Sequence, residues 1–182
     1  MRNIIRRILK EEINQSNFRK ASGLEYSQWL EDFIKYEEGD SRKKGEPVLK
    51  SYKIGSDKWT IGYGHTTGDV KPDVKPNMVI TKEQAEKYLK DDLEYHSSRI
   101  KRIFNQWESA GINVPITQNM FDVLTSLSFN SGYPSVRMSD FIQSLKKGDY
   151  EKTAQQILSY GLKKGFSGLN ERRKKESQHF LS

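Results

Sequence analysis

The chain has 182 residues, room for one ordinary domain with a short appendage. Its net charge of +7 draws it toward polyanions such as nucleic acid, acidic lipid or an anionic cell wall. The absence of cysteine excludes disulfides, thiolate chemistry and cysteine-ligated zinc, and three scattered histidines (His65, His96, His179) argue against a histidine metal site.

In chain order, Ile4, Ile5, Ile8 and Leu9 alternate with Arg2, Arg6, Arg7 and Lys10, which predicts a short amphipathic helix over residues 2–12. The arginines interrupt the apolar run, so it does not read as a secretory signal, and no stretch approaches the roughly 18 apolar residues of a membrane span. The polar residues 14–23 read as a linker. Residues 1–24 are therefore expected to be an arm, packed on the domain or unstructured, with a docking or membrane-surface helix as the alternative.

A helix is predicted from Glu25, with Tyr26, Trp29, Leu30, Phe33, Ile34 and Glu37 at helical spacing and a stop at Gly39. After the polar loop 40–48, VLKSYKI and KWTIGY read as two strands joined by a turn at Gly55-Ser56-Asp57. Residues 65–79 read as loop. Thr81 and Gln84 form a capping box ahead of a long helix whose apolar face carries Leu89, Leu93, Ile100 and Phe104. Thr117, Ser139 and Asp149 are expected to cap three further helices stopped by Gly132, Gly148 and Gly161, and a last helix covers about 169–181. The expectation is an α+β fold: a small β-hairpin lobe (about 39–79) and a C-terminal helical bundle (about 80–182), joined by a long helix.

Two features suggest chemistry. Glu37 and Glu38 close a helix at its negative dipole end, an unfavourable place for carboxylates and therefore one that raises a carboxyl pKa toward the range a general acid needs. On composition alone, however, the pair reads as a solvated helix end. The stretch Thr60-Ile61-Gly62-Tyr63-Gly64-His65 places glycines inside a strand, which marks a bulge or the close approach of another group.

Glu38-Gly39, a loop, an aromatic-containing strand and Thr-Ile-Gly-Tyr-Gly-His together resemble the bacteriophage-type lysozymes, glycoside hydrolase family 24. The likeness continues through Ile-Thr-Lys-Glu-Gln-Ala (80–85), Leu-Ser-Phe-Asn-Ser-Gly (127–132), residues 141–150 and Gly-Leu-Asn-Glu-Arg-Arg-Lys-Lys-Glu (168–176), so it spans about 26–181. It implies a lysozyme-like fold and a muramidase that cleaves the β-1,4 bond between N-acetylmuramic acid and N-acetylglucosamine in bacterial peptidoglycan, by inversion and with no metal or cofactor. Glu38 would be the general acid, and Thr60 would help place the attacking water. Gly62 and Gly64 would let the hairpin lie close to its lobe and to the saccharide, with Tyr63 between them in a binding or supporting role. His65 would brace the hairpin by pairing with an acid. Arg172 or Arg173 would be the arginine near the catalytic glutamate, or else part of a basic face toward wall polymer.

The family places an aspartate six residues before the threonine; here that position is Ile54, and the Glu38-to-Thr60 spacing is several residues longer. The nearest acid is Asp57, which also suits an ordinary turn residue. Three alternatives stay open: Asp57 reaches the cleft, Thr60 and other groups place the water, or the protein binds glycan and cuts it slowly or not at all. The last would make it a glycan-binding or structural virion module of the same fold. A nucleic-acid partner rests on charge alone and is not expected. The resemblance implies a monomer held in the host cytoplasm until it is released to the wall, or one carried in the virion with residues 1–24 as its tether.

Overall fold

The computed structural model describes residues 17–40, 42–53, 58–68, 70–162 and 167–182. The expected helix over 2–12, the turn at Gly55-Ser56-Asp57 and Ile54 lie outside the described residues. Two compact units divide the chain: one is Tyr26–Ser98, and the other combines the described residues up to Glu25 with Arg99–Ser182.

The first unit opens with α1 (Gln28–Glu38), which has Ser27 at its N-cap position. Leu30, Phe33 and Ile34 recur at helical spacing and are buried, while Gln28 and Asp32 stay exposed and bond to each other at 2.9 Å. Three antiparallel strands follow: β1 (Val48–Tyr52), β2 (Thr60–Gly62) and β3 (His65–Thr66), in the order β1-β2-β3. The β1–β2 ladder pairs Val48 with Gly62 and Tyr52 with Thr60, with an irregularity between, and β3 pairs Thr66 with Thr60 and His65 with Ile61. A loop was expected over 65–79; instead the turn at Tyr63-Gly64 brings His65 back onto β2 as a third strand. The positive φ of Gly64 (91°) makes that reversal cheap.

The helix α2 (Lys82–Ser109) begins at the expected capping box: the Thr81 amide donates to Gln84 Oε1 at 2.9 Å, and the Gln84 amide donates to Thr81 Oγ1 at 3.2 Å. The boundary between the units falls within this helix, after Ser98. Ala85, Leu89 and Leu93 are buried with Ile61, Tyr63 and Ile80 in the core of the sheet unit.

The second unit is helical: α3 (Gln118–Ser131), α4 (Tyr133–Arg137), α5 (Asp140–Lys146), α6 (Tyr150–Ser159) and α7 (Ser167–Leu181), with α7 packed on α3 and α6. Thr117 Oγ1, Ser139 Oγ and Asp149 Oδ1 accept from the amides of Met120, Ile142 and Lys152, the N-caps read from the sequence. The short helix α4 was not expected. Residues read as the end of a linker are docked: Arg19 exchanges backbone bonds with Ile116 at 2.9 and 3.0 Å, and Ala21 and Leu24 are buried. No described helix is long and apolar enough to cross a membrane.

Candidate active site

Glu38 is the last residue of α1, partly buried, and Gly39 follows as the C-cap. Gly39 has an ordinary φ of −65°, so its lack of a side chain has another cause. A Cβ there would lie 2.6 Å from the Lys35 carbonyl oxygen, 2.8 Å from the Glu46 carbonyl oxygen and 3.1 Å from the Gly45 nitrogen. The Gly39 amide donates to Lys35 O at 3.1 Å and the Asp40 amide to Glu46 O at 2.7 Å, so the loop closes on itself directly behind the glutamate. Any side chain at this crossing would force backbone atoms to shift.

Side chains hold the same loop from outside. Tyr63, 4% exposed, donates its hydroxyl to Gly45 O at 3.1 Å, and Lys82 pairs with Glu46 at 2.5 Å. Lys35, one turn before Gly39, pairs with Glu31 at 2.8 Å and Glu86 at 3.6 Å and lies 6.0 Å from the Tyr63 ring centre. Burial alone would lower the Lys35 pKa; Glu31 and Glu86 outweigh it and hold the ammonium charged. Asp40 accepts from the Arg42 amide at 2.9 Å and from its guanidinium at 3.1 and 2.9 Å. Those bonds lower its carboxyl pKa to about 2, so a fixed negative charge stands two residues from Glu38.

Thr60 sits on the central strand, partly exposed, between Tyr52 and Thr66. Gly62 makes its close approach within its own unit, to Ala85 and Ile80. Its φ is +66°, and a Cβ would lie 3.4 Å from Ala85 Cβ and 3.7 Å from Ile80 Cδ1, so the end of β2 rests on the first turns of α2.

His65 is 2% exposed. Its Nδ1 lies 2.9 and 3.0 Å from the two Asp92 carboxylate oxygens, and its Nε2 lies 2.9 Å from the Pro72 carbonyl oxygen. Burial alone would depress the imidazole pKa, but Asp92, aided by the Pro72 carbonyl, outweighs it and raises the pKa above its ordinary value. Two acceptors facing two ring nitrogens call for the doubly protonated imidazolium.

Arg172 and Arg173 lie in the helical unit on α7, 4% and 1% exposed. Arg172 Nε donates to Glu176 Oε1 at 3.2 Å. Arg173 donates to Glu176 Oε2 at 2.5 Å, Tyr160 O at 3.0 Å and Asn130 Oδ1 at 2.7 Å. Glu176 is fully buried and also accepts from Ser126 Oγ at 2.6 Å. This depth does not fit the alternative of a solvated basic face for these two residues; their neighbours Lys174 and Lys175 are exposed.

Asp57 lies outside the described residues. Tyr52, Asp40 and Lys35 were not singled out in the sequence, where each looks like an ordinary polar strand, loop or helix residue. Among the described residues no three His, Cys, Asp or Glu side chains converge where they could hold a metal ion.

A family model for phage lysozyme matches residues 44–176, most of the chain. The chain belongs to the phage lysozyme family. It is 34% identical over 137 residues to an endolysin of Bacillus phage B103, covering 73% of this chain and 48% of that protein. To an endolysin of Salmonella phage P22 it is 33% identical over 144 residues, covering 78% of this chain and 91% of that one. Thus this phage lysozyme relative spans about half the length of the first protein and most of the second. Among solved structures, it superposes on the muramidase domain of SpmX from Asticaccaulis excentricus with a TM-score of 0.70 and 25% identity, over 87% of this chain and 99% of that one.

Proposed function

We propose that this chain is a peptidoglycan hydrolase of the muramidase type, cleaving the β-1,4 bond between N-acetylmuramic acid and N-acetylglucosamine with inversion at the anomeric carbon. Membership of the phage lysozyme family supports it, as do relatives named endolysin and a structural neighbour named a muramidase domain. The observation that supports the residue assignment is the tight crossing at Gly39, immediately after Glu38 at the C-terminal end of α1.

In this reading the Glu38 carboxyl protonates the glycosidic oxygen as the bond to the anomeric carbon breaks, and a water adds to that carbon from the opposite face. Thr60 offers its hydroxyl to orient the water. The water must give up a proton, and Asp57 is the acid nearest to the position Ile54 occupies. The +7 charge favours encounter with an anionic bacterial wall.

The test is release of reducing ends from purified peptidoglycan by the wild type and by Glu38→Gln, compared at equal Tm. Loss of a general acid costs on the order of 10²–10⁴ in rate, so the variant is expected to fall at least about 100-fold. Retained release in Glu38→Gln removes Glu38 from the chemistry. No release by the wild type, with wall binding intact, makes the chain a glycan-binding module. Proton NMR of the fresh product should show the α-anomer, and the same assay on Asp57→Asn examines the base.

A further inference from the structure

Tyr52 closes β1 directly across the ladder from Thr60. Residues paired in this way project to the same face of the sheet, with Cβ atoms about 5 Å apart. The neighbouring Ser51 points to the other face. It is buried, its amide bonds Met78 O at 2.9 Å, and its Oγ accepts from the Met78 amide at 3.0 Å. Tyr52 is therefore on the Thr60 side, half-buried, and among the described residues its hydroxyl has no hydrogen-bond partner. A tyrosine that covers its ring and leaves its O–H uncommitted usually has a partner still to come.

The surroundings say which kind of partner. Burial, and then the negative charges of Glu38 and Asp40, push the Tyr52 phenol pKa up. The hydroxyl thus stays protonated and cannot serve as the base that takes the water's proton. It is a neutral donor within electrostatic reach of the end of α1 and beside Thr60.

We propose that Tyr52 is a substrate-contacting residue, donating its hydroxyl hydrogen to an oxygen of the saccharide bound between Glu38 and Thr60. The placement rests on the reading of Glu38 as the acid. The group recognised is an uncharged sugar oxygen, since a bound carboxylate would meet the fixed negative charge of Asp40.

The experiment measures the affinity of Glu38→Gln for glycan strands freed of their peptides, with and without the further change Tyr52→Phe. Phenylalanine keeps the ring and its packing and removes only the donor. One hydrogen bond to a neutral oxygen corresponds to about a tenfold weaker Kd, with Tm unchanged. In the active background, Tyr52→Phe should lower kcat/KM by a similar factor. A Kd within twofold of the parent overturns the proposal, and so does a loss accompanied by a lower Tm that Tyr52→Trp reproduces. Because the binding arm needs no catalysis, retained activity in Glu38→Gln would reject the acid assignment while still leaving Tyr52 to be judged by its effect on Kd.

Discussion

His65 and Asp92 form a buried ion pair, with Nδ1 2.9 Å from Oδ2, across 27 residues of sequence. It ties β3 to the middle of α2. The folded pKa of His65 is raised above 6.5, so its contribution is fully present below pH 6.5 and is lost as pH climbs through the folded value. Burial holds His179 at about 4, with the opposite sign: it costs stability as pH falls from 6.5 toward 4. The informative quantity is therefore the difference in Tm between wild type and Asp92→Asn across pH. It should be largest at mildly acidic pH and shrink above neutrality, with Asp92→Asn costing about 3 kcal/mol at its greatest. A difference independent of pH would mean that the imidazole is neutral in the fold.

Gly39→Ala should be expensive for a reason unrelated to helix propensity. The new methyl must displace backbone oxygens at 2.6 and 2.8 Å, and neither belongs to a side chain that can swing away. Overpacking of this kind costs about 1–3 kcal/mol. Urea denaturation measures it, and wall hydrolysis should fall by more than the loss of folded protein, because the displaced atoms adjoin Glu38. Gly23→Ala, which has nothing within 4 Å of its added Cβ, serves as the control.

Glu176 receives Ser126, Arg172 and Arg173 in a site with no solvent exposure. Glu176→Gln leaves two buried guanidinium groups short of an anion and should destabilise by about 3–5 kcal/mol, read as a lower urea midpoint with an unchanged m value. Arg173→Met, which removes one charge and keeps most of the volume, should cost less than Arg173→Ala.

Asp40 titrates far from its ordinary range because of a neighbour in its own loop. Its carboxyl should show a midpoint near 2 by NMR, and Arg42→Ala should return it toward about 3.9. With a depressed folded value, the stabilising effect exists above pH 4 and disappears as pH falls through 2. The variant should lose this acid-side dependence. A midpoint that does not move would place the cause elsewhere.

The sequence was most legible where the determinants are local. Thr81 with Gln84, and Thr117, Ser139 and Asp149, cap helices within three residues of themselves, and Gly132, Gly148 and Gly161 take the positive φ that ends or separates them. Reading failed where the partner is remote or the element too short to have a period. The two residues of β3 carry no alternation to detect. The single turn of α4 follows Gly132 and has Pro134 in it, which reads equally well as a loop. Docking of Arg19 needs Ile116, 97 positions away, and nothing near Ala21 announces it. At the candidate site Glu38, Thr60 and His65 were singled out through the resemblance. Tyr52 was not, because its place depends on strand register: shifted by one residue, it would have faced Met78 instead.

The loop behind Glu38 ends where it begins, with the Asp40 amide on the Glu46 carbonyl at 2.7 Å. That bond pins both ends of the loop, so the number of residues between Arg42 and Gly45 can change while both anchors stay where they are. This makes the segment a natural splice point. Relatives of different length can differ here at little cost, and an engineer could graft a wall-targeting peptide between Arg42 and Gly45, leaving the Asp40–Arg42 and Tyr63–Gly45 bonds in place.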